Sequence, residues 1–369
     1  MPSSPNHPVP EPAAEVLVIG GGIAGLSLAS QLAGHTGVVL LEAENELGYH
    51  TSSRSARQLI PSYGPPAVQD LTVRTLALIR ELEAALPEPI LVQRSFMLVG
   101  REEDVRDRAS GHMHPITMAE AAGLAPELAA GNFEAAGLDT TSVSCNTDIL
   151  MSWHRARIEA GGGRIVTGCR VDSAERTPNG SWTVTAGDRT WTAEVVVNAA
   201  GAWADPVAGL FGARPRGLQP YRRTAAIVEA GNPPAADGPM VAGALDNFYY
   251  RPDLEGVLVS PSEAVPSPPE DARHRPQDVA DLVRLVNSLT SLELGRTLRA
   301  WTGLRTQAAD GVPVVGFDDA VPGFFWLAGQ GGYGFQTSSG IAELAAAQLL
   351  GTEPVLDVSG ALSPARTGL

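Results

Sequence analysis

The sequence predicts an α/β chain: a Rossmann-like nucleotide-binding domain interrupted by an inserted antiparallel-sheet domain. Three observations carry this. A β-branched run from Glu15 to Ile19 leads into GGGIAG and then into apolar residues at helical spacing, a strand–turn–helix unit. After residue 90 the texture changes to short alternating runs typical of antiparallel strands. From Arg299 onward strand, glycines and a final helix return, so the first domain is assembled from separated stretches.

Taken in order, Leu26–Leu32 continue the first unit as a helix, and Val38–Leu41 form a second strand ending in Glu42. Residues 66–86 place Val68, Leu71, Leu76, Ile79, Leu82 and Leu86 along one side of a helix that Pro87 and Pro89 close. Ile90–Val92 and Phe96–Val99 read as strands, and TMAEAAGLAPEL, beginning at Thr117, as a short helix. Residues 147–160 form another helix with Thr147 as its cap and Gly161–Gly163 as its stop. Arg164–Thr167, Trp182–Thr185 and Trp191–Asn198 return to strands. Strand-like pieces around AAIV and NFYYRP follow, then helices at 277–292 and 336–350. The expected nucleotide-binding domain therefore comprises 14–86, 145–217 and 299–369; 87–144 and 218–298 form the inserted domain, and 1–13 a flexible tail.

Composition excludes several function classes. A net charge of −15 disfavours nucleic acid and anionic membrane as partners. All 26 basic residues are Arg, which rules out chemistry at a lysine amine. Two cysteines, Cys145 and Cys169, make no disulfide framework, and MPSSPNHPVPEP lacks the basic and apolar regions of a signal peptide; a cytoplasmic location is expected. Residues 16–34 are uncharged and nearly long enough to span a bilayer, but three consecutive glycines and the strand ending at Glu42 fit a strand–turn–helix instead. His112 and His114, with no further ligands nearby, read as a polar loop, so no metal is expected.

The chemistry-bearing motif is the first glycine loop. Gly20 allows the tight turn, Gly22 the close approach of backbone to a pyrophosphate, and Gly25 the packing of helix on strand. Ile23 and Ala24 open a helix whose N-terminus faces the phosphates. Glu42, followed by Ala43, lies where an acid accepts hydrogen bonds from ribose hydroxyls. Ser53, Arg54 and Ser55, just past that strand, suit a phosphate.

These residues, with TSSRSA (51–56), VVVNAAGAWAD (195–205), GLQPYRRTAAI (217–227), NFYYRP, WTGLRTQAADGVPVVG (301–316) and GQGGYGFQTS, resemble the D-amino-acid oxidase superfamily of FAD amine oxidoreductases, and within it most resemble the bacterial D-arginine dehydrogenases. The resemblance covers about residues 14 to 350. It implies the D-amino-acid oxidase/glycine oxidase fold and non-covalent FAD lying extended. The ADP half would rest on the first glycine loop. Gly331, Gly332, Tyr333, Gly334, Gln336 and Thr337 would serve the flavin end, Ala200, Gly201 and Trp203 would line the cofactor, and Val171 would sit by the adenine. A helix N-terminus at the flavin would favour negative charge there. The resemblance also makes Arg305 the clamp for the substrate carboxylate, a role a planar guanidinium fork suits, with Arg223, Tyr63 and Tyr249 around the substrate.

Departures from the D-arginine enzymes are informative. Phe96 stands where they carry an acid, Gln58 at a histidine position and Ile60 at a threonine. A buried cation without an anion is costly, so Phe96, Ile60, Phe248 and Tyr250, with Gly332 opposite, imply an apolar or aromatic side-chain pocket. No general base stands out; His50 is the nearest candidate. The expected reaction is oxidation of a D-amino acid to imino acid, then 2-oxo acid and ammonia, with hydride transfer from Cα to flavin N5. Alternatives are oxidation of a secondary or cyclic amino acid and a non-catalytic flavin-binding role. The motifs do not say whether oxygen or a quinone accepts the electrons.

Overall fold

The computed structural model describes residues 9–129 and 131–369. Strand Ala14–Ile19 is apolar almost throughout because both faces of its sheet are covered. It lies between Val38–Leu41 and Arg189–Asn198, all parallel, with Arg164–Val166 at the edge beyond Val38–Leu41. Past Arg189–Asn198 this nine-stranded sheet forks. The end of that strand pairs with Phe324–Ala328, while its start continues into the antiparallel strands Trp182–Ala186 and Ser173–Arg176. Helices Ile23–Leu32, Thr147–Ala160 and Ser338–Leu350 cover one face. The other is filled by Trp182, Trp191, Phe211, Phe324 and Trp326.

The inserted domain is a second nine-stranded sheet. Gln219–Ala230 and Leu294–Gln307 form its long antiparallel ladder, and Gly256–Ser260, Tyr249–Asp253, Met240–Gly243, Phe96–Gly100, Ala135–Asp139 and His114–Ile116 extend it. One pair departs from the antiparallel expectation: Met240–Gly243 runs parallel to Phe96–Gly100. Helix Pro276–Leu289 covers the outer face through Val279, Leu282 and Val286. The inner face looks toward the first domain. A third, three-stranded sheet of Gln58–Leu59, Val143–Cys145 and Leu91–Gln93 lies between them.

Most predicted elements stand within a few residues of their expected bounds. The helix expected at 66–86 spans Pro66–Glu83. Helix Thr147–Ala160 is capped by Asn146, whose side chain accepts from the Ile149 amide, rather than by Thr147. The expected boundary at 299 falls inside strand Leu294–Gln307, because residues 299–307 complete the second sheet's ladder. Of the expected tail, residues 1–8 lie outside the described residues, whereas Val9–Pro10 pair with Arg189–Thr190. The uncharged stretch 16–34 divides into strand, turn and the ten-residue helix Ile23–Leu32, and among the described residues no helix is long and apolar enough to cross a membrane.

Candidate active site

The first strand ends at Gly20, whose φ of +113° favours glycine. A Cβ there would lie 2.4 Å from the Ala199 carbonyl oxygen, and one at Gly25 would lie 1.9 Å from the oxygen of Gly20. These two glycines therefore bring strand, helix and the Ala199 turn together. The loop is then held by acceptors: Glu42 Oε2 accepts from the Gly21 amide at 2.6 Å and Ser52 Oγ from the Ile23 amide at 3.0 Å. Glu42 Oε1 accepts from the Glu44 amide at 2.8 Å, which fixes the carboxylate at the edge of a trough of about 340 Å³.

Of the residues expected at a cofactor, Gly20, Gly22, Ile23, Ala24, Glu42, Ala43, Val171, Ala200, Gly201, Trp203, Gly331 and Gly334 line this trough. Three chain segments far apart in sequence thus converge on one space. Sequence reasoning missed Ser52 and Thr51, next to the serines it chose; only the geometry of the 3₁₀ turn Thr51–Arg54 decides which hydroxyl faces inward.

Several expected contacts are corrected. Ser53 Oγ donates to the Tyr49 and His50 carbonyls and lies outside the trough. Arg54 is committed to the inserted domain: it pairs with Asp271 and donates to the Ala272 and Thr302 carbonyls at 3.1 and 2.9 Å, which leaves it poorly placed for a phosphate. Ser55 lines a neighbouring cavity instead. Tyr333 packs edge-on against Tyr63 with ring centroids 5.3 Å apart, and burial pushes its hydroxyl up to about 12. Thr337 Oγ1 donates to the Tyr333 carbonyl at 2.8 Å inside the protein. Gln336 Nε2 donates to the Tyr63 carbonyl and Thr72 Oγ1, tying the second glycine loop to the Tyr63 turn. Gly332 serves an arginine: a Cβ there would meet the Arg305 guanidinium at 3.0 Å.

That guanidinium enters a second cavity, of about 140 Å³, which shares Ile23, Thr51, Ser52, Gly331 and Gly334 with the trough. Strand alternation builds its walls. Arg223 pairs with Gly303 and Tyr221 with Arg305, so Arg223, Ala225, Gly303 and Arg305 share the inner face of the long ladder. Phe96, Met240, Ala242 and Tyr249 line the same cavity from neighbouring strands, with Ile60, Tyr63 and Gln58 opposite. Gln58 Nε2 is held by the Arg94 carbonyl at 2.9 Å and Ser142 Oγ at 2.8 Å. The same alternation corrects two expectations: Phe248 and Tyr250 point away from the cavity into the core under helix Pro276–Leu289, and the Tyr250 hydroxyl donates to Glu127 at 2.9 Å.

Neither Arg223 nor Arg305 forms an ion pair among the described residues, and Arg223 Nε has no partner. Burial and then the charge of Arg305 lower the Arg223 pKa. For Arg305 burial pulls downward, but Tyr63, Tyr249, Asp246 and Tyr333 pull the other way and the net shift is upward. Two guanidinium groups that form no ion pair among the described residues and face one cavity make a receptor for an anion. Asp246, exposed at the cavity mouth with φ +55°, is the acid that sequence reasoning missed there. His50 is not in this cavity: it lines the trough, with Nε2 3.0 Å from Glu44 Oε1 and its ring against Trp203.

Residues 15–348 match the family model described as DAO: FAD dependent oxidoreductase. The chain belongs to the DAO family. Its FAD dependence agrees with the geometry, since one trough is lined by a helix N-terminus, a fixed carboxylate and two glycine loops. Solved structures share the fold. L-proline dehydrogenase from P. horikoshii is 20% identical, with a TM-score of 0.86 over 96% of this chain and 98% of that one. Glycine oxidase from Geobacillus kaustophilus is 21% identical, with a TM-score of 0.83 over 96% and 99%. An L-amino acid deaminase from Proteus vulgaris is 22% identical, with a TM-score of 0.80 over 99% of both chains. In this DAO-family chain Glu42 and the first glycine loop line the same trough.

Proposed function

We propose that this FAD-dependent oxidoreductase oxidises a D-amino acid with an apolar or aromatic side chain to its imino acid, which water converts to 2-oxo acid and ammonia. The observation that carries the reading is the unpaired Arg305, beside Arg223, Tyr63 and Tyr249, in a cavity continuous with the cofactor trough. FAD, when bound, supplies the two-electron acceptor that takes a hydride from Cα. The residues do the rest by binding and orientation. Arg305 takes the substrate carboxylate, with Arg223 adding positive charge and the tyrosine hydroxyls of Tyr63 and Tyr249 close by. Ile60, Phe96 and Met240 offer the side chain an apolar wall. No histidine lines the cavity among the described residues. Catalysis therefore rests on holding a neutral amine with Cα toward the cofactor, a positional effect worth several kcal/mol.

The D configuration and the likeness to D-arginine dehydrogenases come from sequence resemblance. The apolar wall supports a different side-chain preference from theirs. Non-covalent FAD is supported by the cysteines: Cys145 is buried in the core beside Leu59 and Leu76, and Cys169 lines the trough near Val171, the expected adenine end. The small cavity also favours a second reading, oxidation of a compact cyclic or N-alkyl amino acid, in keeping with the fold shared with proline dehydrogenase and glycine oxidase.

The test is anaerobic mixing with D- and L-amino acids while the absorbance of the oxidised flavin is followed. Bleaching by D-leucine, D-phenylalanine or D-methionine but not D-arginine is expected. Bleaching only by L-proline or N-methyl amino acids would establish the second reading, and fast bleaching by D-arginine would overturn the apolar pocket.

A further inference from the structure

Beside Arg223 lies an acid that no motif singles out. Strand Gln219–Ala230 pairs with Gly256–Ser260 through Ala226–Val228 and with Val265–Pro266 through Tyr221–Arg222. Between those ladders, at Thr224, the neighbouring strand is missing and side chains replace it. Glu263 Oε1 accepts from the Thr224 amide at 2.6 Å, and Ser260 Oγ donates to the Thr224 carbonyl at 2.6 Å. Ser262, at a φ of +54°, makes the sharp turn that brings Glu263 in. Among the described residues its Oε2 is shielded from solvent and has no partner, and Arg223, the residue before Thr224, has a shielded and unpartnered Nε. Satisfying one backbone amide needs only one oxygen and no charge, so a carboxylate here is more than the sheet requires.

We propose that Glu263 is a positioning residue that sets the charge of the substrate site: with Arg223 and Arg305 it leaves a net charge of +1, matched to a ligand bearing one carboxylate, and so selects against dicarboxylates. Arg54 is already neutralised by Asp271, and Arg108 and Asp246 stand at the mouth with opposite charges. Burial leaves the Glu263 pKa raised overall, against its bonds from Thr224 and the charge of Arg223, which favour the carboxylate. The inference rests on the carboxylate-clamp reading of Arg305, and the experiment separates the two.

Malonate and propionate, alike in size but differing by one carboxylate, are titrated into the FAD-loaded protein while the flavin absorbance reports binding. E263Q keeps an oxygen for the Thr224 amide and removes the charge. The ratio of Kd for malonate to Kd for propionate is expected to fall about tenfold, at unchanged Tm and FAD content. An unchanged ratio, or equal weakening of both anions with a lower Tm, would overturn the proposal and leave Glu263 a purely structural support. R305M addresses the clamp separately: loss of both anions keeps that reading, and wild-type binding of both removes it whatever E263Q does.

Discussion

At the scale of single residues, the site is a matter of which side chains lack partners. Arg305 lies against Gly332 and forms no ion pair among the described residues, so its fork is free for a carboxylate. R305K keeps the charge but loses the planar fork, and kcat/KM for the best amino acid is expected to fall about 10- to 100-fold, mostly through KM. Tyr249 and Tyr250 are neighbours in sequence with opposite fates. Y250F strands the buried Glu127 and should cost about 1–2 kcal/mol in denaturant unfolding, with kcat/KM almost unchanged. Y249F should do the reverse. Equal kinetic damage from both would mean that the orientation of this strand is misread. The sequence reading placed both tyrosines at the substrate, although neighbours on a strand face opposite sides, and the structure turns Tyr250 into the core.

At the scale of elements, helices Ile23–Leu32 and Thr147–Ala160 meet at a buried polar pair, with His154 Nδ1 2.7 Å from Ser30 Oγ. Burial, and then the charge of Arg157, depress the His154 pKa from 6.5 to about 3. The unfolded chain therefore binds a proton below pH 6.5 that the folded chain refuses until about pH 3. Stability should fall as pH drops through that window, with a slope from this residue of about 1.4 kcal/mol per pH unit at most. Urea midpoints for wild type and H154Q between pH 7 and 4 would check it: the substitution should flatten the slope. The elements themselves were legible because their signals are local, with glycine stops, an 18-residue amphipathic helix and alternating runs. The caps and strand ends were less so; Asn146 rather than Thr147 caps its helix because the cap depends on where the chain leaves strand Val143–Cys145.

At the scale of the whole molecule, the trough draws lining residues from 19–52, 169–210 and 304–334, so a dinucleotide bound there would tie together stretches that the chain leaves far apart. Removing FAD should lower Tm, and adding it back should restore stability by about 2.7 kcal/mol at a hundredfold excess over Kd. A Tm insensitive to FAD would mean that the trough is rigid without it. The sequence by itself determined the nucleotide-binding unit, its Glu42 terminus and the return of the same domain near the C-terminus, because glycine spacing and hydrophobic period are short-range properties. Tertiary structure alone decided that residues 299–307 belong to the second sheet, that Arg54 reaches Asp271 while Ser52 reaches the glycine loop, and that Glu263 stands beside Arg223. Each of these depends on pairing between residues tens to hundreds apart in the chain, which no local pattern encodes.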